Sequence, residues 1–354
     1  MGYSALAFII VIGILVFIHE FGHFIVARIC GVGVEVFSLG FGPKILQKRY
    51  KRTLYCICVI PLGGYVKMVG EDPSTKTEEI HESFTHKSLF KRTLIVSAGP
   101  FFNFFLAAIT FYFLYQFSGI YLTKPIVGDL VKDSPAFSAN LQKGDIIKQI
   151  DNKQIEAFED IAKIVQASNG RQLTIIVQRD NNLFNIALSP VLKPSVNIFG
   201  EKTQIYVIGI IGTKEYYNKH LNLFSAFGYS IKETFKIIKL TILSVVKIIR
   251  GKISSDNIGG PLMIAQMAGE QAKAGVVNFA WFVALLSVNL GIINLLPIPL
   301  LDGGHLLFFL IEGITGKPVS AKLRERLIQI GAALLITLMI FVFYNDILRI
   351  FNGG

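Results

Sequence analysis

The sequence predicts a polytopic α-helical membrane protein: four transmembrane helices, with a soluble α+β domain inserted between the second and third. Three observations carry that reading. Mean hydropathy is +0.54, and 52% of the 354 residues are hydrophobic against 17% charged; soluble chains of this length rarely combine those values. Four apolar segments reach the roughly 20 residues that a helix needs to cross a bilayer. They are Ser4–Ile29, Thr93–Phe117, Asn278–Leu301 and Leu327–Leu348. Between the second and third, apolar residues alternate at Ile126–Val131, Ile146–Ile150, Leu173–Gln178 and Phe184–Leu188, as in half-buried strands. Phe158–Ala167 has helical spacing instead.

Lys and Arg set the orientation. The loop Cys30–Arg92 holds ten basic residues against six acids (Glu35, Glu71, Asp72, Glu78, Glu79, Glu82). The loop after the third span carries Lys317, Lys322, Arg324 and Arg326. No basic residue precedes the first span, and only Arg349 follows the fourth. Both loops are therefore expected on the cytoplasmic side, with both termini and the inserted domain outside. The same bias accounts for the net charge of +11: basic loops face an anionic leaflet of the lipid bilayer, and no nucleic acid partner is expected. Cys30, Cys56 and Cys58 all precede the outer loop, so no disulfide framework is expected. Met1–Ala5 contain no Lys or Arg, and the first apolar run leads into His19 and Glu20 rather than a cleavage site. That segment does not read as a cleavable signal.

In the inserted domain, Ser134-Pro135-Ala136 followed by Leu141-Gln142-Lys143-Gly144-Asp145-Ile146-Ile147 resembles the core of a bacterial PDZ domain. Such domains usually carry Ala-Gly-Leu where Ala139-Asn140-Leu141 stands. Asn is next after Gly in tolerating φ > 0, so the turn is expected to be kept. Further on, over Leu221–Lys252, Phe224, Phe227, Ile231, Phe235, Ile238, Ile242, Val246 and Ile249 recur every three or four residues. Lys232, Lys236, Lys239, Lys247 and Arg250 line one flank. So many charges suit a helix lying along a membrane surface rather than a span. The alternative is a helix packed on the soluble domain.

The chemistry begins at His19-Glu20-Phe21-Gly22-His23. Two His four apart project from one helix face and can share a cation. Glu20 sits beside them, placed to hold a water. This is the HExxH arrangement, in which two His bind zinc and Glu is the general base. The run interrupts an apolar helix, where each ionisable group costs about 2.5–3.5 kcal/mol to insert, so a function is the default reading. Zinc needs a third protein ligand and an open position. Asp302 offers one, in Asn294-Leu295-Leu296-Pro297-Ile298-Pro299-Leu300-Leu301-Asp302-Gly303-Gly304-His305. The first and third spans both run outside to inside, so His19–His23 and Asp302 reach the same depth. His305 is the competing ligand.

These two motifs, with Pro61-Leu62-Gly63-Gly64-Tyr65-Val66-Lys67-Met68 and Gly259-Gly260-Pro261-Leu262, resemble the site-2 protease family over nearly the whole chain. The likeness is to the bacterial regulator-of-sigma-E proteases, with a single PDZ domain. The resemblance implies a β-hairpin over Gly33–Met68, dipping into the membrane from inside. Its edge, with Gly63 and Gly64, would take an extended substrate as an added strand. Asn294 would hydrogen-bond the substrate backbone. Pro297 and Pro299 cannot continue a helix, so the chain must unwind just before Asp302.

The function expected is that of an intramembrane zinc metalloendopeptidase, with Zn2+ on His19, His23 and Asp302 and with Glu20 as the base. Its substrates would be transmembrane segments of single-span membrane proteins, anti-sigma factors or signal-peptide remnants among them. It would lie in the bacterial inner membrane with its site towards the cytoplasm. The expected organisation is a catalytic membrane part over 1–117, the PDZ domain over 124–192, a linker with the amphipathic helix over 193–277, and a second membrane part over 278–354. Two rivals come from other classes. A non-catalytic PDZ scaffold would have no need of Glu20. A metal transporter would need a chain of polar residues through the other spans.

Overall fold

The computed structural model describes residues 2–71, 80–252 and 259–351. Asp72, Glu78 and Glu79, counted above in the first inner loop, lie outside the described residues, as does the part of the linker at 253–258. The elements begin with helix α1 (Gly2–Ile29), strands β1 (Val34–Tyr50) and β2 (Thr53–Met68), and helix α2 (Leu89–Ser118). The inserted region holds β3 (Ile120–Thr123), β4 (Val127–Leu130), α3 (Pro135–Ser138), β5 (Ile146–Ile150), β6 (Lys153–Gln154) and α4 (Phe158–Ala167). It continues through β7 (Leu173–Arg179), β8 (Asn182–Leu188), β9 (Val191–Val196), β10 (Lys202–Val207), β11 (Ile210–Gly212) and β12 (Tyr216–Lys219). Then come the helices α5 (Leu223–Ile249), α6 (Pro261–Lys273), α7 (Val276–Asn294), α8 (Asp302–Thr315) and α9 (Ala321–Phe351).

Two compact units result, one of Met1–Leu114 with Ala226–Gly354 and the other of Tyr115–Ser225. Among the described residues of the first, four helices are long and apolar enough to cross a membrane: Gly2–Ile29, Leu89–Ser118, Val276–Asn294 and Ala321–Arg349. Their large side chains divide as lipid solvent demands. Val11 and Leu15 of α1 are buried against Ala268, Phe282 and Val283, while Leu6, Ile9 and Ile10 face outward. The third span ends earlier than the sequence suggests. Helix α7 stops at Asn294, and α8 starts afresh at Asp302. Pro297 and Pro299 lack N–H groups, so the chain between them closes with short Ile298–Leu296 and Leu300–Ile298 backbone bonds instead. Gly303 and Gly304 let it fold back: a Cβ on either would collide with the backbone of Leu295 and Leu296 or of Ile298 and Pro299.

The β1–β2 hairpin is more convoluted than an ordinary two-stranded one. Leu39 pairs with both Gly64 and Ile57, and Ser38 with both Tyr65 and Cys56. The turn points are Gly40 (φ 89°) and Gly63 (φ 131°), in the backbone region that L side chains avoid. Helix α5 forms as its spacing predicts, but its buried face is Ala226, Ser230, Thr234 and Ile237. The stripe of Phe224, Phe227, Phe235 and Ile242 is exposed.

The second unit is an α+β domain. Its main sheet runs β6-β5-β7-β8, all antiparallel. Leu173, Ile175 and Val177 alternate into the core with no exposed surface, and α4 packs Ile161 and Val165 on them. Strands β11 and β12, beyond residue 192, pair back with β4 and β3. Ser134 caps α3 through Phe137 N–H, with Pro135 in the first turn. Asn140 takes φ 60°, so the expected turn survives without its glycine.

Candidate active site

Helical spacing puts His19 and His23 one turn apart on α1, with their rings crossed at 82° and their Nε2 atoms 3.2 Å apart. Both are buried. The break before α8 brings Asp302 to them: its Oδ2 lies 3.1 Å from His19 Nε2 and 3.5 Å from His23 Nε2. One ligand atom from each of the three falls within 4.8 Å of the others. That Oδ2 is buried and accepts no hydrogen bond among the described residues. Two imidazole nitrogens and a bare carboxylate oxygen, converging in a buried pocket, form a donor set that fits zinc.

Helix α2 forms the back wall. His23 Nδ1 donates to Ile95 O at 2.9 Å, which leaves Nε2 as the nitrogen with a free lone pair. Asn103 of α2, fully buried, brings its side-chain amide to 3.1 Å from His19 Nδ1. Between them, Gly99 has no side chain to spare: a Cβ there would collide with His23 Nε2 and His19 Cε1. Gly22 of α1 plays the matching part, since a Cβ on it would lie 2.7 Å from Ala98 O. Sequence reasoning missed Ile95, Gly99 and Asn103. The lone amide in an apolar span was the available signal for Asn103; a backbone carbonyl such as that of Ile95 has none.

Glu20 follows His19 on α1, and the hairpin approaches it closely. A Cβ on Gly64 would lie 3.0 Å from Glu20 Cγ and 2.7 Å from Ser38 O. Gly63 faces Phe41. Asn294, at the end of α7, sets its Nδ2 3.4 Å from both ring nitrogens of His19. Pro297 and Pro299 lie in the break itself, between the end of α7 and the start of α8. His305 is one turn beyond Asp302 but turns elsewhere, its Nδ1 3.3 Å from Arg324 Nη2. Burial, with Arg324 beside it, lowers its pKa and disfavours a proton there. Glu71 accepts a bond from Met68 N. Arg92 grips Glu312 through two nitrogens, at 3.1 and 2.5 Å, and so pins α8 to α2.

Residues 7–338 match the pattern of Peptidase family M50. The chain belongs to that family. Its relatives include a Rickettsia conorii protein named as a zinc metalloprotease, 40% identical over 99% of both chains. A Campylobacter jejuni protein with the same kind of name is 38% identical, over 98% of this chain and 93% of its own. The Regulator of sigma-W protease RasP of Bacillus subtilis is 30% identical, over 98% of this chain and 99% of its own. As an M50 metalloprotease the chain uses zinc, and its four apolar helices mark a multi-pass membrane protein.

Proposed function

We propose that this M50 protein is an intramembrane metalloendopeptidase that cuts transmembrane segments of single-span membrane proteins. In this reading His19, His23 and Asp302 hold the zinc and Glu20 is the catalytic base. The convergence of two His Nε2 atoms on an Asp302 Oδ2 with no proton partner carries it. Zinc held there supplies Lewis acidity towards a water and the scissile carbonyl. The chain's residues do the rest. Glu20, one residue from His19, takes a proton from the attacking water onto its carboxylate and returns it to the leaving amine nitrogen. His23 keeps Nε2 bare by spending its Nδ1 proton on Ile95 O.

The substrate arrives as a helix whose amides are screened by their own hydrogen bonds, so it must unwind before attack. The absence of a side chain at Gly64 lets the hairpin lie on Glu20, and an unwound substrate adding to that edge would run past the base. Asn294 then donates its amide N–H to a substrate carbonyl, while Pro297 and Pro299 keep the chain open before Asp302. The unit Tyr115–Ser225 contains the 124–192 segment that we read as a PDZ domain, facing outside the cytoplasm and screening substrates by their outer portions. The exposed Phe stripe of α5 rests on the membrane surface. The site opens towards the cytoplasmic side of a bacterial inner membrane. A relative named as a regulator of sigma-W supports anti-sigma factors as one substrate class, with signal-peptide remnants as another.

Purified protein and a Glu20→Gln variant, each with a designed single-span substrate, test this. The wild type is expected to bind one zinc per chain and to cleave; the variant should keep zinc and lose cleavage. Equal cleavage by both, or no zinc in either, overturns the proposal.

A further inference from the structure

We propose that Asn103 is a positioning residue. Its side-chain oxygen accepts the Nδ1 proton of His19 and so holds that imidazole with Nε2 turned towards the metal. The inference rests on the metal site proposed above. His19 Nε2 is the nitrogen that meets His23 Nε2 and Asp302 Oδ2, at 3.2 and 3.1 Å. A nitrogen that gives its lone pair to zinc carries no proton, so the neutral ring carries its proton on Nδ1. A buried N–H left without an acceptor is destabilising, so the folded protein must supply one. Two amides lie near. Asn294 Nδ2 is 3.4 Å from both ring nitrogens, so it addresses the edge between them rather than either one. Asn103 addresses Nδ1 alone, at 3.1 Å.

The orientation of that amide decides its role. With its nitrogen towards the ring, Asn103 Oδ1 is buried with no partner among the described residues. It would also set two donors against each other once Nδ1 is protonated. A half-turn of the amide exchanges oxygen and nitrogen, which occupy nearly the same space. Oxygen then meets Nδ1–H, and the bond forms. The same helix already does this for the other ligand, since Ile95 O takes the Nδ1 proton of His23. Ile95, Gly99 and Asn103 are four residues apart on one face of α2. That face therefore supplies an acceptor for each imidazole, with a gap between them where the rings sit. Ser287 Oγ of α7 donates to Asn103 O at 2.7 Å and fixes the position of α2 from behind.

Zn2+ affinity of the full-length protein, measured by competition with a chromophoric chelator, tests the assignment, with Co2+ absorption as a report on ligand geometry. Asn103→Leu keeps the volume and removes the acceptor. It is expected to weaken Zn2+ binding about 10–100-fold and to shift the Co2+ spectrum. Asn103→Asp keeps an oxygen and has no N–H to offer; it should bind at least as tightly as wild type, with an unchanged spectrum. Leu within twofold of wild type, or Asp closer to Leu than to wild type, overturns the proposal. Should the Leu variant fail to fold, the Asp variant decides alone: a tenfold loss overturns it. His19→Ala separates the two readings. If it binds Zn2+ as tightly as wild type, the metal site itself is wrong, whatever Asn103 does.

Discussion

Asp145 and Asp302 are both sequestered carboxylates, one in each compact unit, and they are partnered in opposite ways. Asp145, with no exposed surface, accepts from Arg179 at 2.7 and 2.8 Å and from Gln142 N at 2.8 Å. Asp302, in the membrane unit, has an oxygen that accepts nothing among the described residues. Membrane surroundings are not the cause. Asp346, on the fourth span of the same unit, is 2% exposed and accepts from Gly260, Leu262 and Met263 N–H groups at 3.0–3.1 Å. Two of these carboxylates are saturated by the fold, one by an ion pair and one by the N-terminus of α6. The third is kept bare between two imidazoles. The fold that saturates Asp145 and Asp346 leaves Asp302 Oδ2 open between two imidazoles, as a ligand position requires.

Removing each carboxylate sharpens or breaks that contrast. Asp302→Ala should abolish tight zinc binding and lower cleavage by at least about 1000-fold, while leaving the metal-free protein as stable as before. Unchanged zinc affinity would move the third ligand to His305. Asp145→Ala should do the reverse. It removes the acceptor of Gln142 N and the ion-pair partner of a partly exposed Arg179, and denaturant unfolding of the inserted unit should lose about 1–3 kcal/mol, with zinc affinity unchanged. A thermal scan that finds the two variants equally destabilised would erase the distinction. Gly99→Ala tests the back wall. Its methyl must push the two imidazoles apart, with a stability cost of about 1–3 kcal/mol and looser zinc, both readable from chelator competition and melting curves.

The smallest expected effect is a pH dependence in the inserted unit. Thr174 N–H and Arg171 hold the pKa of Asp151 below its ordinary value. Its contribution is present above the unfolded pKa of about 3.9 and is lost as pH falls through the lower folded value. The site is partly solvated, so Asp151→Asn should remove no more than about 0.5 kcal/mol, visible as a flatter acid limb. An unchanged acid limb would show that this ion pair contributes nothing.

Most of the membrane frame was legible in the residues, because lipid admits few alternatives to an apolar helix. The strands at Ile146–Ile150 and Leu173–Arg179 and the helix Phe158–Ala167 were legible for a related reason: one face is buried, and the period shows it. Helix α6 was not. It is short and capped by Asp346, which lies more than 80 residues further along the chain. The stripe of α5 was visible, but the side it turns inward was not. Small and hydroxylated residues make that face, with Thr241 donating to Asn289 at 2.8 Å, and they leave no hydrophobic signature.

The candidate site divides the same way. Local sequence alone determined that His19 and His23 share a helix face with Glu20 beside them, because 3.6 residues per turn allows nothing else. It determined too that the helix must stop before Asp302, because Pro297 and Pro299 cannot donate to the ladder. Only the tertiary structure decided that Asp302 rather than His305 turns to the histidines, that Gly64 lies against Glu20, and that one face of α2 offers Ile95 O and Asn103 to the imidazoles. Those contacts join residues 44 to 283 positions apart in the chain. No local period encodes such distances; the crossing of packed helices does.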